Sequence, residues 1–169
     1  LLLRQDNADM RLTERSYAIG LAEENRYRKF LESKEAVEKE LLRLSKVMAT
    51  PNAANPVLES LGSTPLSGGV TLKELLKRPE LTYENTAPLD PDRPDLSYHV
   101  RTKIEVEIKY AGYISKQLSQ VEKFKRLETR ALPEDIDYLS IQGIRIEARQ
   151  KLDKHRPVSV GQASRISGV

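Results

Sequence analysis

Few residues in this chain stand where covalent chemistry would need them. The two histidines, His99 and His155, are far apart in sequence, and with no cysteine the chain has no thiolate nucleophile, thiolate metal ligand or disulfide. Asp135 and Asp137 have the residue types for paired acid–base work, but two acids in a turn beside a helix end read first as solvated turn residues. No G-x-G-x-x-G follows a strand and no P-loop occurs, so no phosphate cradle is offered. Neither a catalytic nor a metal-ligating set emerges. What stands out is positive charge: between Arg145 and Val169, six basic residues (Arg145, Arg149, Lys151, Lys154, Arg156 and Arg165) face two acidic ones (Glu147 and Asp153), a local +4 in a chain of net charge +3. Clustered Lys and Arg suit the phosphates of a nucleic acid, with an affinity that falls as salt rises. The competing reading makes them solubilising charges on a small helical subdomain.

The elements that must position these residues are helices. From Ser97 to Arg130, the residues Val100, Ile104, Ile108, Ala111, Ile114, Leu118 and Val121 recur every three or four positions, the period of one apolar helical face. Lys103 to Tyr110 also alternates polar and apolar as a strand would, but the helical pattern continues past Tyr110 with no turn residues in between. Gly112 inside this helix predicts close approach by another element, and Tyr110 and Tyr113, off the apolar stripe, are expected to pack in the core rather than present a partner surface. A second long helix is expected over Ala22 to Met48, with Tyr27, Leu31, Val37, Leu41, Leu44 and Met48 on its apolar side and a charged face that mixes both signs.

Shorter elements fill the rest. Leu1 to Leu12 reads as an extended lead-in, its Leu1–Leu3 run fitting the end of a buried strand, followed by a helix capped at Thr13 and stopped at Gly20. Residues 49–70 carry turn vocabulary with a short helix at Val57–Leu61. Thr71-Leu72-Lys73-Glu74 is a capping box opening about two turns of helix, and another short helix is expected from Thr82. Pro88, Pro91 and Pro94 stiffen a connector over residues 86–96. After Leu132-Pro133, Ile136, Tyr138, Leu139 and Ile141 are packing candidates. Arg145 to His155 forms a helix with an edge of Ile146, Arg149 and Leu152, and Ser159 caps a small final helix whose small residues let backbones come close. The expected fold is all-α: two long antiparallel helices plus short helices over residues 13–132, with a small helical subdomain over 133–169.

At 169 residues and 19.2 kDa the chain has room for one domain with an appended subdomain. With 38% hydrophobic and 31% charged residues, no Trp and two Phe, its apolar surface is thin, which suits helices. No apolar run approaches the length of a membrane span. A pI near 9.0 permits a polyanionic partner without requiring one.

Four blocks carry a resemblance: Leu1 to Leu12 (LLLRQDNADMRL), Arg78 to Tyr83 (RPELTY), Lys109 to Ile114 (KYAGYI) and Gly161 to Val169 (GQASRISGV). In this order they closely resemble blocks of the MnmG (GidA) family, over the whole chain, as the carboxy-terminal part of such a protein. The resemblance implies a cytoplasmic enzyme that uses FAD and NADH and works with the GTPase MnmE on the wobble uridine of certain tRNAs, with a homodimer as the expected assembly. It implies that the flavin domain and reactive cysteines precede Leu1, that residues 1–12 are the end of that preceding region, and that a final helix follows Val169. It gives this chain no cofactor of its own and no turnover alone. It places Arg4, Asn7 and Arg11 at the junction with the catalytic body, against a plainer reading as loop residues paired with Asp6 and Asp9. The tail cations become tRNA contacts and the region after Asp135 a docking surface for MnmE, with no particular residue assigned to that partner. A helical brace for homodimerisation, without RNA contact, is the alternative.

Overall fold

A computed structural model describes residues 2–169, with Leu1 outside the described residues. The helices are α1 (Ala8–Ala18), α2 (Glu24–Leu44), α3 (Pro51–Ser60), α4 (Leu72–Leu75), α5 (Tyr98–Thr129), α6 (Ile146–His155) and α7 (Val160–Ser164). Two of them start at side-chain caps, α4 at Thr71 and α7 at Ser159. A 3-10 turn at Ala87–Leu89 interrupts the proline-rich connector. The all-helical class therefore stands, with one small addition: β1 (Met48–Ala49) pairs antiparallel with β2 (Val70–Thr71). The chain divides into two units, the first ending at Ile114 and the second covering Ser115–Val169.

The first unit is built on one core. Val37 and Leu44 of α2, Ala54 and Leu58 of α3, Leu72, Leu75, Leu76, Leu81 and Tyr83 meet Val100, Ile104 and Ile108 of α5. Seven of the largest of its side chains are under 2% exposed (Leu44, Leu58, Leu72, Leu75, Leu76, Leu81 and Ile104), each worth roughly 1.5–3 kcal/mol of burial. The apolar face of α2 is rotated from the expected one. Phe30 and Glu40 are buried while Leu31 is 40% exposed, because Glu40 is drawn inward by two hydrogen-bonding partners described below.

Several local expectations are corrected. Residues 8–12 are the first turn and a half of α1, not an extended lead-in, with Asn7 at the N-cap position and its backbone carbonyl accepting from Arg11 N at 3.2 Å; Leu2 and Leu3 form no strand. Helix α2 ends at Leu44, and Met48 enters the small sheet. Helix α3 starts at Pro51, whose missing N–H costs nothing at a first helical position. Thr71 caps α4 as expected, accepting from the Glu74 amide at 3.2 Å, but Glu74 turns to Lys77 at 2.6 Å and α4 is a single turn. Thr82 starts a side-chain-locked turn with Asn85 rather than a helix. Gly112 has nothing within 4 Å of where a Cβ would stand, and Tyr110 and Tyr113 are 40% and 65% exposed, so neither close approach nor core packing occurs there.

In the second unit, the chain after α5 folds back by a backbone clasp. Leu132 N donates to Val158 O at 3.0 Å and Val160 N to Arg130 O at 2.9 Å. Ser159 caps α7 through the Gln162 amide at 3.1 Å. Gly161 lies against α5 as its size permits: an added Cβ would sit 2.9 Å from the Glu128 backbone nitrogen. The edge of α6 differs from the expected one, since Ala148 and Leu152 are buried while Ile146 is 67% exposed. Of the packing candidates before it, Tyr138 is buried and Leu139 is 53% exposed.

Candidate nucleic-acid interface

Helix α6 and its flanks present the six tail cations unequally. Four are engaged within the second unit. Arg149 Nη1 donates to Leu139 O at 2.9 Å. Lys151 Nζ reaches Glu147 at 2.6 Å and Ser167 O at 2.7 Å, which ties the last turn of the chain to α6 and holds the Glu147 carboxyl below its ordinary range. Arg156 donates to Ile136 O at 2.9 Å and to Asp153 at 2.9 Å while its guanidinium stands 5.6 Å from the centre of the Tyr138 ring. It does so from a left-handed backbone, φ 45°, at the C-cap of α6. Arg165 pairs with Glu128 of α5. Among the described residues, Arg145 and Lys154 make no ion pair or side-chain hydrogen bond, and both are exposed. They are the two of the six whose charge is uncommitted.

The acid pair is turn furniture. Asp137 Oδ1 accepts from Leu139 N at 3.1 Å, and Asp135 is exposed. Among the described residues no three His, Asp or Glu side chains gather as a metal site would need.

At the other end, Arg4, Asn7 and Arg11 form one cluster in the first unit. Asn7 Oδ1 accepts from Arg4 N at 3.2 Å and from Arg11 Nε at 2.8 Å, and Asn7 Nδ2 donates to Leu2 O at 3.1 Å. Arg4 also bonds Asp6 at 2.9 Å, which raises the arginine's pKa and lowers that of the aspartate, and lies 5.5 Å from the Tyr110 ring centre. Asp9 does not pair with Arg11. It receives Lys103, a buried lysine of α5, and lies 3.5 Å from His99 Nε2. Burial pushes Asp9 up, but the Lys103 hydrogen bond and charge together leave it below its ordinary range. Beside this cluster a shallow depression of about 950 Å³ opens, lined by Asp9, Thr13, Arg26 and His99 among others.

A polar network that periodicity did not disclose lies in the first unit. Arg43 chelates Glu40 at 2.7 and 2.8 Å and reaches Asp90, at 2.9 Å through Nη1, although both carboxylates are buried. Those two partners, Glu40 first, raise the Arg43 pKa. Tyr83 completes the set: its hydroxyl donates to Glu40, its amide to Glu105 at 2.7 Å, and Arg93 covers its ring at 4.1 Å. Nearby, Arg78 and Glu80 meet at the Ser63 hydroxyl, at 2.8 and 2.5 Å. The RPELTY block is thus a structural lock. The signal for it in sequence was the block itself, and its partners were beyond reach.

Taken together these features define a helical protein with a core-forming first unit and a second with eleven basic against seven acidic residues, a net +4. The chain belongs to the MnmG/GidA family. The model of the tRNA modifying enzyme MnmG/GidA C-terminal helical domain matches residues 24–118, and that of the MnmG/GidA C-terminal helical bundle matches residues 120–169. Among similar proteins is the tRNA uridine 5-carboxymethylaminomethyl modification enzyme MnmG of Alkaliphilus oremlandii, 58% identical over 170 residues, covering 100% of this chain and 27% of that protein. The enzyme of the same name from Caldicellulosiruptor saccharolyticus is 55% identical over the same coverage. The structure of Aquifex aeolicus GidA in its form II crystal matches with a TM-score of 0.62 and 29% identity over 98% of this chain and 25% of that one. The chain therefore spans about a quarter of the length of the relatives it matches. No glycine-rich phosphate loop occurs in its sequence.

Proposed function

We propose that this chain is the carboxy-terminal helical part of a cytoplasmic, homodimeric, FAD- and NADH-dependent enzyme that modifies the wobble uridine of tRNA with the GTPase MnmE, and that its share is grip rather than bond-breaking. Family membership across both units supports the setting. The observation that carries the role is the +4 of the second unit, with Arg145 and Lys154 uncommitted and exposed. Phosphate contacts need such charges, while Arg149, Lys151, Arg156 and Arg165 shape the surface that presents them. Arg4, Asn7 and Arg11 act as a rigid corner toward the catalytic body, held by Asn7. MnmE docks on the region after Asp135.

A brace for homodimerisation is the second reading, favoured by Ile19 and Leu21 at the α1–α2 turn, 71% and 76% exposed. Among the described residues no helix is long and apolar enough to cross a membrane. The test is tRNA binding by the full-length protein with R145A/K154A across a salt series. The RNA reading expects weaker binding and a salt slope shallower by about 1.5–2. Unchanged tRNA binding, with a dimer lost on replacing Ile19 and Leu21 by Ser, would favour the brace.

A further inference from the structure

Helix α5 carries a row of cations that the tail cluster does not include. Lys116 and Lys123 are seven residues apart, so they lie within about 20° of one line along the helix and about 10.5 Å apart along it, and Arg130 follows one residue past the helix end at Thr129. All three belong to the second unit and are exposed, and among the described residues none has an ion pair or a side-chain hydrogen bond. Their helical neighbours three and four residues away are Gly112, Tyr113, Ser119, Gln120, Arg126 and Leu127, with no acid among them. The acids of this stretch sit elsewhere and are occupied. Glu122, about 100° round the helix from Lys123, takes Lys125 at 2.9 Å, and Glu128, about 140° round, takes Arg165. Arg126 stands toward Glu122 and helps lower its pKa, after Lys125, so it is not part of the row.

A merely solubilising face looks different, and α2 shows how. There cations and acids interleave, as at Arg28 and Glu32, 4.0 Å apart, so opposite charges relieve each other. On the α5 row nothing relieves the cations. Flanking the row on the side away from Glu122 are Gln120 and then Phe124, an aromatic ring 59% exposed. Cations in line, an amide and a bare aromatic ring are the chemistry that receives an unpaired RNA segment: phosphates along the cations, a base stacked on the ring.

We infer that the face of α5 formed by Lys116, Gln120, Lys123 and Phe124, with Arg130 just past the helix end, binds a single-stranded or looped segment of RNA. This deepens the tRNA reading above and rests on it. About 20 Å of helix, from Lys116 to Thr129, with Arg130 beyond it, is the length of the track.

The experiment uses the full-length protein and tRNA, with binding measured over a salt series. K116A/K123A/R130A is expected to flatten the salt slope by about two to three, and K123E alone by about one. Alanine favours helix, so α5 keeps its helicity in the triple variant. The charge-conserving K116R/K123R/R130K keeps the slope. F124A loses about tenfold in affinity with the slope intact, and F124W recovers it. A slope unchanged in the triple variant while R145A/K154A lowers it would overturn the inference and leave the tRNA reading standing. Absence of any salt-dependent tRNA binding by the unaltered protein would overturn both. Loss of MnmE capture by the triple variant with tRNA binding intact would make the row a protein contact and also overturn the inference.

Discussion

The Tyr83 hydroxyl donates to the Glu40 carboxylate at 2.9 Å across 43 residues of chain, in a setting where both side chains are almost wholly buried. Burial, then the Glu40 hydrogen bond and charge, push the phenol up to about 12. The folded chain therefore keeps this proton where the unfolded chain has lost it. Its contribution is whole below about pH 10 and drains as pH rises toward 12. In Y83F the unfolding midpoint should drop by an amount equivalent to about 1 kcal/mol at pH 7. Its decline between pH 10 and 12 should be shallower than that of the parent chain, as read by denaturant melts at each pH.

Lys103 is buried on α5, and Asp9 of α1 is its ionic partner. D9N leaves the ammonium without a counter-charge and should cost roughly 1.5–3 kcal/mol. Because the Asp9 pKa is lowered, the parent chain has the full benefit above its ordinary value of 3.8 and loses it as pH falls through the folded value. Urea melts at pH 7 and pH 3 should differ less for D9N than for the parent chain.

Gly161 faces Glu128 with no room for a methyl group, its hypothetical Cβ lying 2.6 Å from the carboxyl carbon. G161A should loosen α7 from the end of α5 at a cost of about 1–3 kcal/mol. Hydrogen exchange should accelerate at the Val160 and Leu132 amides, which make the clasp, and stay unchanged at the core amides of the first unit.

Asn7 uses both ends of its amide to hold Leu2, Arg4 and Arg11. N7A should loosen the Leu2–Arg4 corner at a cost of about 1 kcal/mol, and N7D, which lacks the donor to Leu2 O, should recover part of it. Protection of the Arg4 amide is the readout. No change in N7A would remove Asn7 as the organiser of the corner.

Much of this fold is written in local pattern. Val100, Ile104 and Ile108 announced α5, and Thr71 and Ser159 announced their caps, because periodicity and capping are read within a few residues. What was not legible depends on partners far along the chain. Arg43 meets Asp90 across 47 residues, and Glu40 is buried only because Arg43 and Tyr83 satisfy it, so α2 turned a face that composition alone assigned to solvent. Gly112 and Gly161 show the same limit: one has open space and the other is pressed against α5, and nothing in their immediate neighbours distinguishes them. At the candidate site, the count of tail cations was readable, but which of them were already spoken for was not, since Lys151 is claimed by Ser167 O and Arg165 by Glu128.

Arg156 sits in a left-handed conformation that most side chains avoid, and its guanidinium grips Ile136 O, Asp153 and the Tyr138 ring. A glycine there would ease the backbone but release the grip. The loop and the helix are in consequence a single inheritance: anyone transplanting α6 into another scaffold must bring residues 136–138 along, and a recombination point between them would yield a helix with a loose end.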